Sequence, residues 1–150
     1  MTNAAPTILV IDARFYDDIA DELVRGAAAA IEAAGAKMHR ISVPGVLEVP
    51  TALSMALEAR DNDQLDFDAV VTLGCVIRGE TSHYDIVAVE SARALMDLAV
   101  AEGFPLGNGI LTVENGEQAW VRAGVDKKNK GASAVEAALA LFRLRGELGI

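Results

Sequence analysis

Four short apolar runs alternate along the chain with longer stretches in which apolar positions recur every three or four residues. Thr7 to Asp12 (TILVID) is β-branched and almost wholly apolar, as a buried parallel strand is. From Asp17 to Ala34 a helical stripe of Ile19, Leu23, Ala27, Ala30, Ile31 and Ala34 follows, with acidic residues in its first turns and Gly35 as its stop. Lys37 to Val43 alternates like an edge strand and ends at Pro44-Gly45. Val49-Pro50 opens a second helix to about Arg60, where proline in the first turn costs little.

The third strand is Ala69 to Val76, and the third helix runs from about Ser82 to Ala101. Its expected inward stripe includes Ile86, Val89, Ala92, Leu95, Met96 and Ala99. Thr81 or Ser82 is positioned to cap it, with Asp85 at a capping-box-like spacing. Leu106 to Val113 is a fourth strand with two internal glycines, which mark the close approach of a ligand or another backbone. Asn115 caps a short fourth helix ending at Gly124, and Asp126 to Lys130 is a charged loop. The fifth helix, about Ala132 to Leu148, is apolar on two faces and needs two neighbours, the second expected from another subunit. Alternating strands and helices predict a parallel sheet covered on both faces, an α/β fold.

Composition narrows the function. The 150 residues predict one domain with a loose arm at residues 1–6, and no repeat or linker divides them. Hydrophobic residues make up 52% and aromatics 5%, so the core is aliphatic. A net charge of −9 argues against nucleic acid as a partner. No apolar run reaches membrane-span length and no signal-peptide pattern opens the chain. A single cysteine fits a reducing cytoplasm, and with two histidines it offers no obvious metal site.

Ligands of open parallel sheets bind beyond the carboxyl ends of the strands. Those ends carry Arg14-Phe15, Gly45 to Glu48, Gly79 to His83 and Thr112 to Asn115. Phe15 reads either as a lid over the core or as a stacking surface for a planar ring. Glu48 either favours a helix start or faces the ligand, and Arg122 is a helix-end charge or an anion ligand. Cys75 reads as a small buried hydrophobe, and His39 as solvated. His83 has no Ser or Cys partner for a nucleophilic triad and no companion metal ligands. General acid–base catalysis is what remains for its imidazole. A phospho-accepting receiver domain would need an Asp at the end of the third strand, where this chain has Gly74-Cys75.

At these residues the chain resembles the lumazine synthase family of riboflavin biosynthesis. The matching stretches are ARF at 13–15, VPGVLEVP at 43–50, LGCVIRGETSHYD at 73–85, GILTVEN at 109–115, EQA at 117–119, RAG at 122–124 and NKG at 129–131. They cover essentially the whole chain. The resemblance implies a three-layer α/β/α sandwich with a four-stranded parallel sheet, flavodoxin-like and doubly wound. It implies condensation of 5-amino-6-(D-ribitylamino)uracil with 3,4-dihydroxy-2-butanone 4-phosphate, losing phosphate and water. The substrate's own amine forms the imine, so neither a catalytic lysine nor a cofactor is needed.

The same resemblance assigns roles. Phe15 stacks on the pyrimidine, and Val46, Leu47, Glu48, Cys75, Val76 and Ile77 line the pocket of the ring and the ribityl chain. Glu80 and Thr81 offer backbone donors to the phosphate, Arg122 pairs with it, His83 moves protons, and Lys130 helps hold the pyrimidine. Asn108 stands where many members place a neighbouring subunit's phenylalanine, and Leu47 replaces a frequent aromatic. These two departures support an alternative, a protein that holds a flavin or lumazine without making it. The family's pentamers place active sites between neighbours, with riboflavin synthase acting downstream. Shell-forming members carry Gly-Asn before the NKG lysine, whereas Lys128-Asn129 here predicts an isolated pentamer.

Overall fold

In the computed structural model, residues 5–150 are described; the first four residues of the expected arm lie outside them. Four strands form one parallel sheet: β1 (Thr7–Ala13), β2 (Lys37–Val43), β3 (Ala69–Ile77) and β4 (Leu106–Val113), in the order β2-β1-β3-β4. Helices α1 (Asp17–Ala33), α4 (Gly116–Ala123) and α5 (Lys130–Glu147) cover one face. Helices α2 (Val49–Asp61) and α3 (His83–Glu102) cover the other, with a 3-10 turn at Val46–Glu48 leading into α2. This is the expected three-layer sandwich. The alternating β2 lies at a sheet edge, as its pattern predicts.

Two expectations about faces need correction. On α3 the buried residues are Val87, Ser91 and Leu95, whereas Ile86, Val89 and Met96 stand exposed. The helix is apolar nearly all round, so periodicity alone could not choose the side that meets the sheet. On α5 Ala134 joins Val135, Ala138 and Leu139 in the core, and the second neighbour is α1 of the same chain. Leu141, Leu144 and Leu148 remain exposed near its end. The helix also starts at Lys130, two residues before the expected Ala132.

Of the two glycines within β4, Gly107 marks another backbone and Gly109 the Leu73 side chain, neither a ligand, and Gly131 of α5 plays the same part as Gly107. A Cβ on Gly107 would run into the Ala134 carbonyl oxygen of α5, and one on Gly131 into the Leu23 carbonyl oxygen of α1. Helix α5 therefore lies against both β4 and α1 without intervening side chains.

At the carboxyl end of β1, Asp12 is wholly buried. Its carboxylate accepts from Arg40 at 2.9 and 3.2 Å, from Arg14 at 3.0 Å and from the Ser42 hydroxyl at 2.8 Å. Arg14 also bonds Asp17 at 2.9 Å and Asp21 at 2.8 Å, which ties the first turns of α1 to the strand. Burial alone would raise the carboxyl, but hydrogen bonds from Arg40, Arg14 and Ser42 outweigh it and hold Asp12 below 3.8. Its folded state thus binds fewer protons than the unfolded chain. The stabilisation is present above the ordinary carboxylate value and is lost progressively as pH falls from there through the depressed folded value. Urea melts from pH 6 down to pH 3 are expected to show this loss. The Asp12→Asn variant, weaker at pH 6, is expected to lose less stability over that range.

Candidate active site

Beyond the ends of β1 and β3 opens a cleft of about 380 Å³. The loop after β1 contributes Phe15 and Tyr16, and the 3-10 turn contributes Val46, Leu47 and Glu48. The end of β3 contributes Cys75, Val76 and Ile77, and the entry to α3 contributes Thr81 and His83. These residues are far apart in sequence and meet because parallel strands deliver all their carboxyl ends to one edge.

Phe15 is 73% exposed and meets Tyr16 edge-on, with ring centroids 4.9 Å apart. It is a rim surface with an open face, not a lid over the core. Its backbone is anchored by the preceding residue, because Arg14 donates its N–H to Val43 O at 2.9 Å and its guanidinium to the Asp12 cluster. Glu48 is exposed beside the cleft, and Val46 is buried beneath it. Burial pushes the Cys75 thiol up to about 11, so it is a neutral wall atom rather than a nucleophile.

His83 is the first residue of α3 and is exposed. The expected capping by Ser82 is not formed: Ser82 is the N-cap but its side chain makes no capping bond. Only Thr81 participates, its hydroxyl oxygen accepting from the His83 N–H at 3.3 Å. Ser82 is already in the right-handed helical region, so its hydroxyl is not presented as it is from an extended cap. An uncapped helix start leaves N–H donors for an anion.

Four sequence-predicted residues lie outside the lining of this cleft. Glu80 is exposed on the bend before α3. Asn108 sits in the middle of β4 opposite Thr72. Its Oδ1 accepts from the Thr72 hydroxyl at 2.9 Å and from the Ile110 N–H at 3.1 Å, which directs its amide N–H groups away from the strand backbone. Arg122, in the last turn of α4, donates to Gln118 O at 3.1 Å, and Lys130 is exposed at the start of α5. Tyr16, Tyr84 and Val87 line the cleft without having been singled out. Val87 lies one helical turn beyond His83, a spacing that would have found it had the helix start been set there.

The cleft is thus an apolar slot with an open aromatic face, one carboxylate, one imidazole and a free helix start, and with no Lys or Arg in its lining. Among the described residues no group of His, Cys, Asp and Glu could hold a metal, and no helix is long and apolar enough to cross a membrane. Fold and cleft together define a doubly wound α/β protein whose apolar cleft brings an aromatic face, a carboxylate and an imidazole to one sheet edge.

Comparison with known proteins narrows this class. The family model for 6,7-dimethyl-8-ribityllumazine synthase matches residues 5–145. The chain is 57% identical over 144 residues to the 6,7-dimethyl-8-ribityllumazine synthase of Agrobacterium fabrum, covering 96% of this chain and 97% of that protein. It is 60% identical over 142 residues to the enzyme of that name from Methylorubrum populi, covering 95% of this chain and 84% of that one. The chain belongs to the 6,7-dimethyl-8-ribityllumazine synthase family, transferases of riboflavin biosynthesis.

The thiol's state gives a direct check. Native protein at pH 8 is expected to react with iodoacetamide far more slowly than unfolded protein, and Cys75→Ala to keep most of any turnover. Rapid native alkylation would contradict the neutral-wall role.

Proposed function

We propose that this chain, as a single domain, condenses 5-amino-6-(D-ribitylamino)uracil with 3,4-dihydroxy-2-butanone 4-phosphate, releasing phosphate and water, in the penultimate step of riboflavin biosynthesis. The observation that carries the reading is the convergence of Phe15, Glu48 and His83 on one cleft at the sheet's carboxyl edge. Phe15 stacks on the pyrimidine, while Val46, Leu47 and Glu48 with Cys75, Val76 and Ile77 surround the ring and its ribityl chain. Thr81 and Glu80 give backbone donors to the butanone phosphate. His83 moves protons between the condensing amine, the carbonyl oxygen and the leaving groups. No cofactor takes part, because the substrate amine is itself the nucleophile.

A phosphorylated substrate needs cations, and none lines the cleft. We assign that role to Arg122, with Lys130 and the Asn108 amide near the pyrimidine, supplied by a neighbouring copy. Exposed apolar patches favour such a neighbour. Ile86, Val89, Met96 and Val100 stand out from α3, and Trp120, Val121, Leu141 and Leu144 from α4 and α5 in the opposite layer. Unlike patches on opposite sides pair head to tail, and a head-to-tail contact that closes makes a ring. We assign a homopentamer, working in the cytoplasm and passing its product to riboflavin synthase.

Mixing protein, diamine and ketone phosphate is expected to form lumazine well above the no-protein rate, followed by absorbance. His83→Ala is expected to lower kcat about 100-fold, the low end of what a positioned acid–base group contributes, while leaving pyrimidine binding nearly intact. A rate equal to background with ligand still bound would move the function to binding. Light scattering is expected to give the mass of five subunits; a particle near sixty subunits would contradict the isolated pentamer.

A further inference from the structure

Arg78 follows the last residue of β3 and lies outside the cleft lining, yet it is braced on three sides. Its Nε donates to both carboxylate oxygens of Glu114, at 3.0 and 3.1 Å. Its Nη1 donates to Asp85 at 3.3 Å, and its guanidinium carbon lies 4.2 Å from the centroid of the Tyr84 ring. Its backbone N–H donates to Val113 O at 2.9 Å. Glu114 is held in turn, because its N–H donates to the Gln118 side chain at 2.8 Å, and the Gln118 N–H donates to Asn115 Oδ1 at 2.9 Å.

The two residues that Arg78 grips, Tyr84 and Asp85, directly follow His83. That turn of α3 has no cap from Ser82, only the Thr81 hydroxyl on the His83 N–H, and among the described residues the His83 ring makes no hydrogen bond of its own. The direction of the imidazole therefore depends on how firmly the first turn is held. Tyr84 and Val87 pack on the core from this turn, but among the described residues its only side-chain hydrogen bond to the sheet edge runs through Arg78 to the junction of β4 and α4.

We propose that Arg78 is a positioning residue: by clamping Tyr84 and Asp85 to Glu114 it holds His83 at the cleft for proton transfer. The inference rests on the acid–base reading above and extends it to a residue that touches neither substrate nor the reacting atoms. Exposed ion pairs add little to global stability, so the clamp's effect is local order. Arginine suits the role because its planar fork serves two carboxylates while its face covers a ring.

The test compares wild type with Arg78→Ala, Arg78→Lys, His83→Ala and the double variant. Arg78→Ala is expected to lower kcat about tenfold, part of the roughly 10²–10⁴ of a well-placed acid–base group, with KM for both substrates within about twofold. Its Tm is expected to stay within about 2 °C of wild type. Arg78→Lys keeps the cation over Tyr84 but loses the fork, so partial rescue to about threefold below wild type is expected. Adding Arg78→Ala to His83→Ala is expected to cost no further rate, since the two act through one group.

Amide exchange by mass spectrometry in the 79–86 segment is expected to quicken in Arg78→Ala and not elsewhere. Unchanged kcat, unchanged exchange or an additive double variant would overturn the proposal. If wild type itself forms lumazine no faster than the control, the acid–base reading falls. Exchange alone then decides the clamp: quickening upholds it as a structural hold on the turn, and no change overturns it.

Discussion

A buried carboxylate at the end of the first strand organises the cleft edge. Bringing Asp12 out of water is costly unless charge and hydrogen bonds compensate it. Here the compensation comes from three residues on two elements: Arg40 and Ser42 from β2, and Arg14 from the loop before α1. Because satisfying one carboxylate requires all of them, the edge strand, the central strand and the helix start cannot move independently. Phe15 follows Arg14 directly, so its backbone position is set by the same bonds. Removing one arginine would leave the carboxylate partly unpaired, which costs more than the pair contributes when intact.

A second constraint acts on the layers. Gly107 and Gly131 let α5 touch the backbones of β4 and α1, where any Cβ would collide with a carbonyl oxygen. Close contact seats α5 against the sheet and α1, so Lys130 is carried at the start of a helix rather than in a loop, and Arg122 in the last turn of α4. The same closeness explains why α5 needs two apolar faces within one chain. What it leaves uncovered are Leu141, Leu144 and Leu148, beyond the stretch that α1 and the sheet reach.

Periodicity made the strands, most helix limits and the edge position of β2 readable, because each has a single strong pattern. It could not orient α3, where Ser91 is buried and Ile86, Val89 and Met96 are not. A helix apolar over most of its circumference records its neighbours without saying which is which. Asp12 and Arg78 escaped notice for another reason. Each has near partners too, but the contacts that tie them across the sheet, Arg40 for Asp12 and Glu114 for Arg78, lie 28 and 36 residues away, and nothing local marks those. The cleft walls were legible as short motifs at strand ends, whereas Tyr16, Tyr84 and Val87 enter it only through the exact start of each helix.

The charge distribution carries the last step. A chain of net charge −9 that keeps Lys and Arg out of its cleft repels an anionic substrate until some cation arrives. Its own free helix start supplies a partial positive charge, too weak alone to hold a phosphate against that field. Arg122 and Lys130 are cations outside the lining, on the layer opposite the α3 patch. If a neighbour delivers them, assembly and substrate binding become one event. An isolated subunit would then hold the neutral pyrimidine by stacking but lack the cations for the phosphorylated ketone. On this account the exposed apolar faces and the uncharged cleft are two consequences of one arrangement, in which the second copy completes the site.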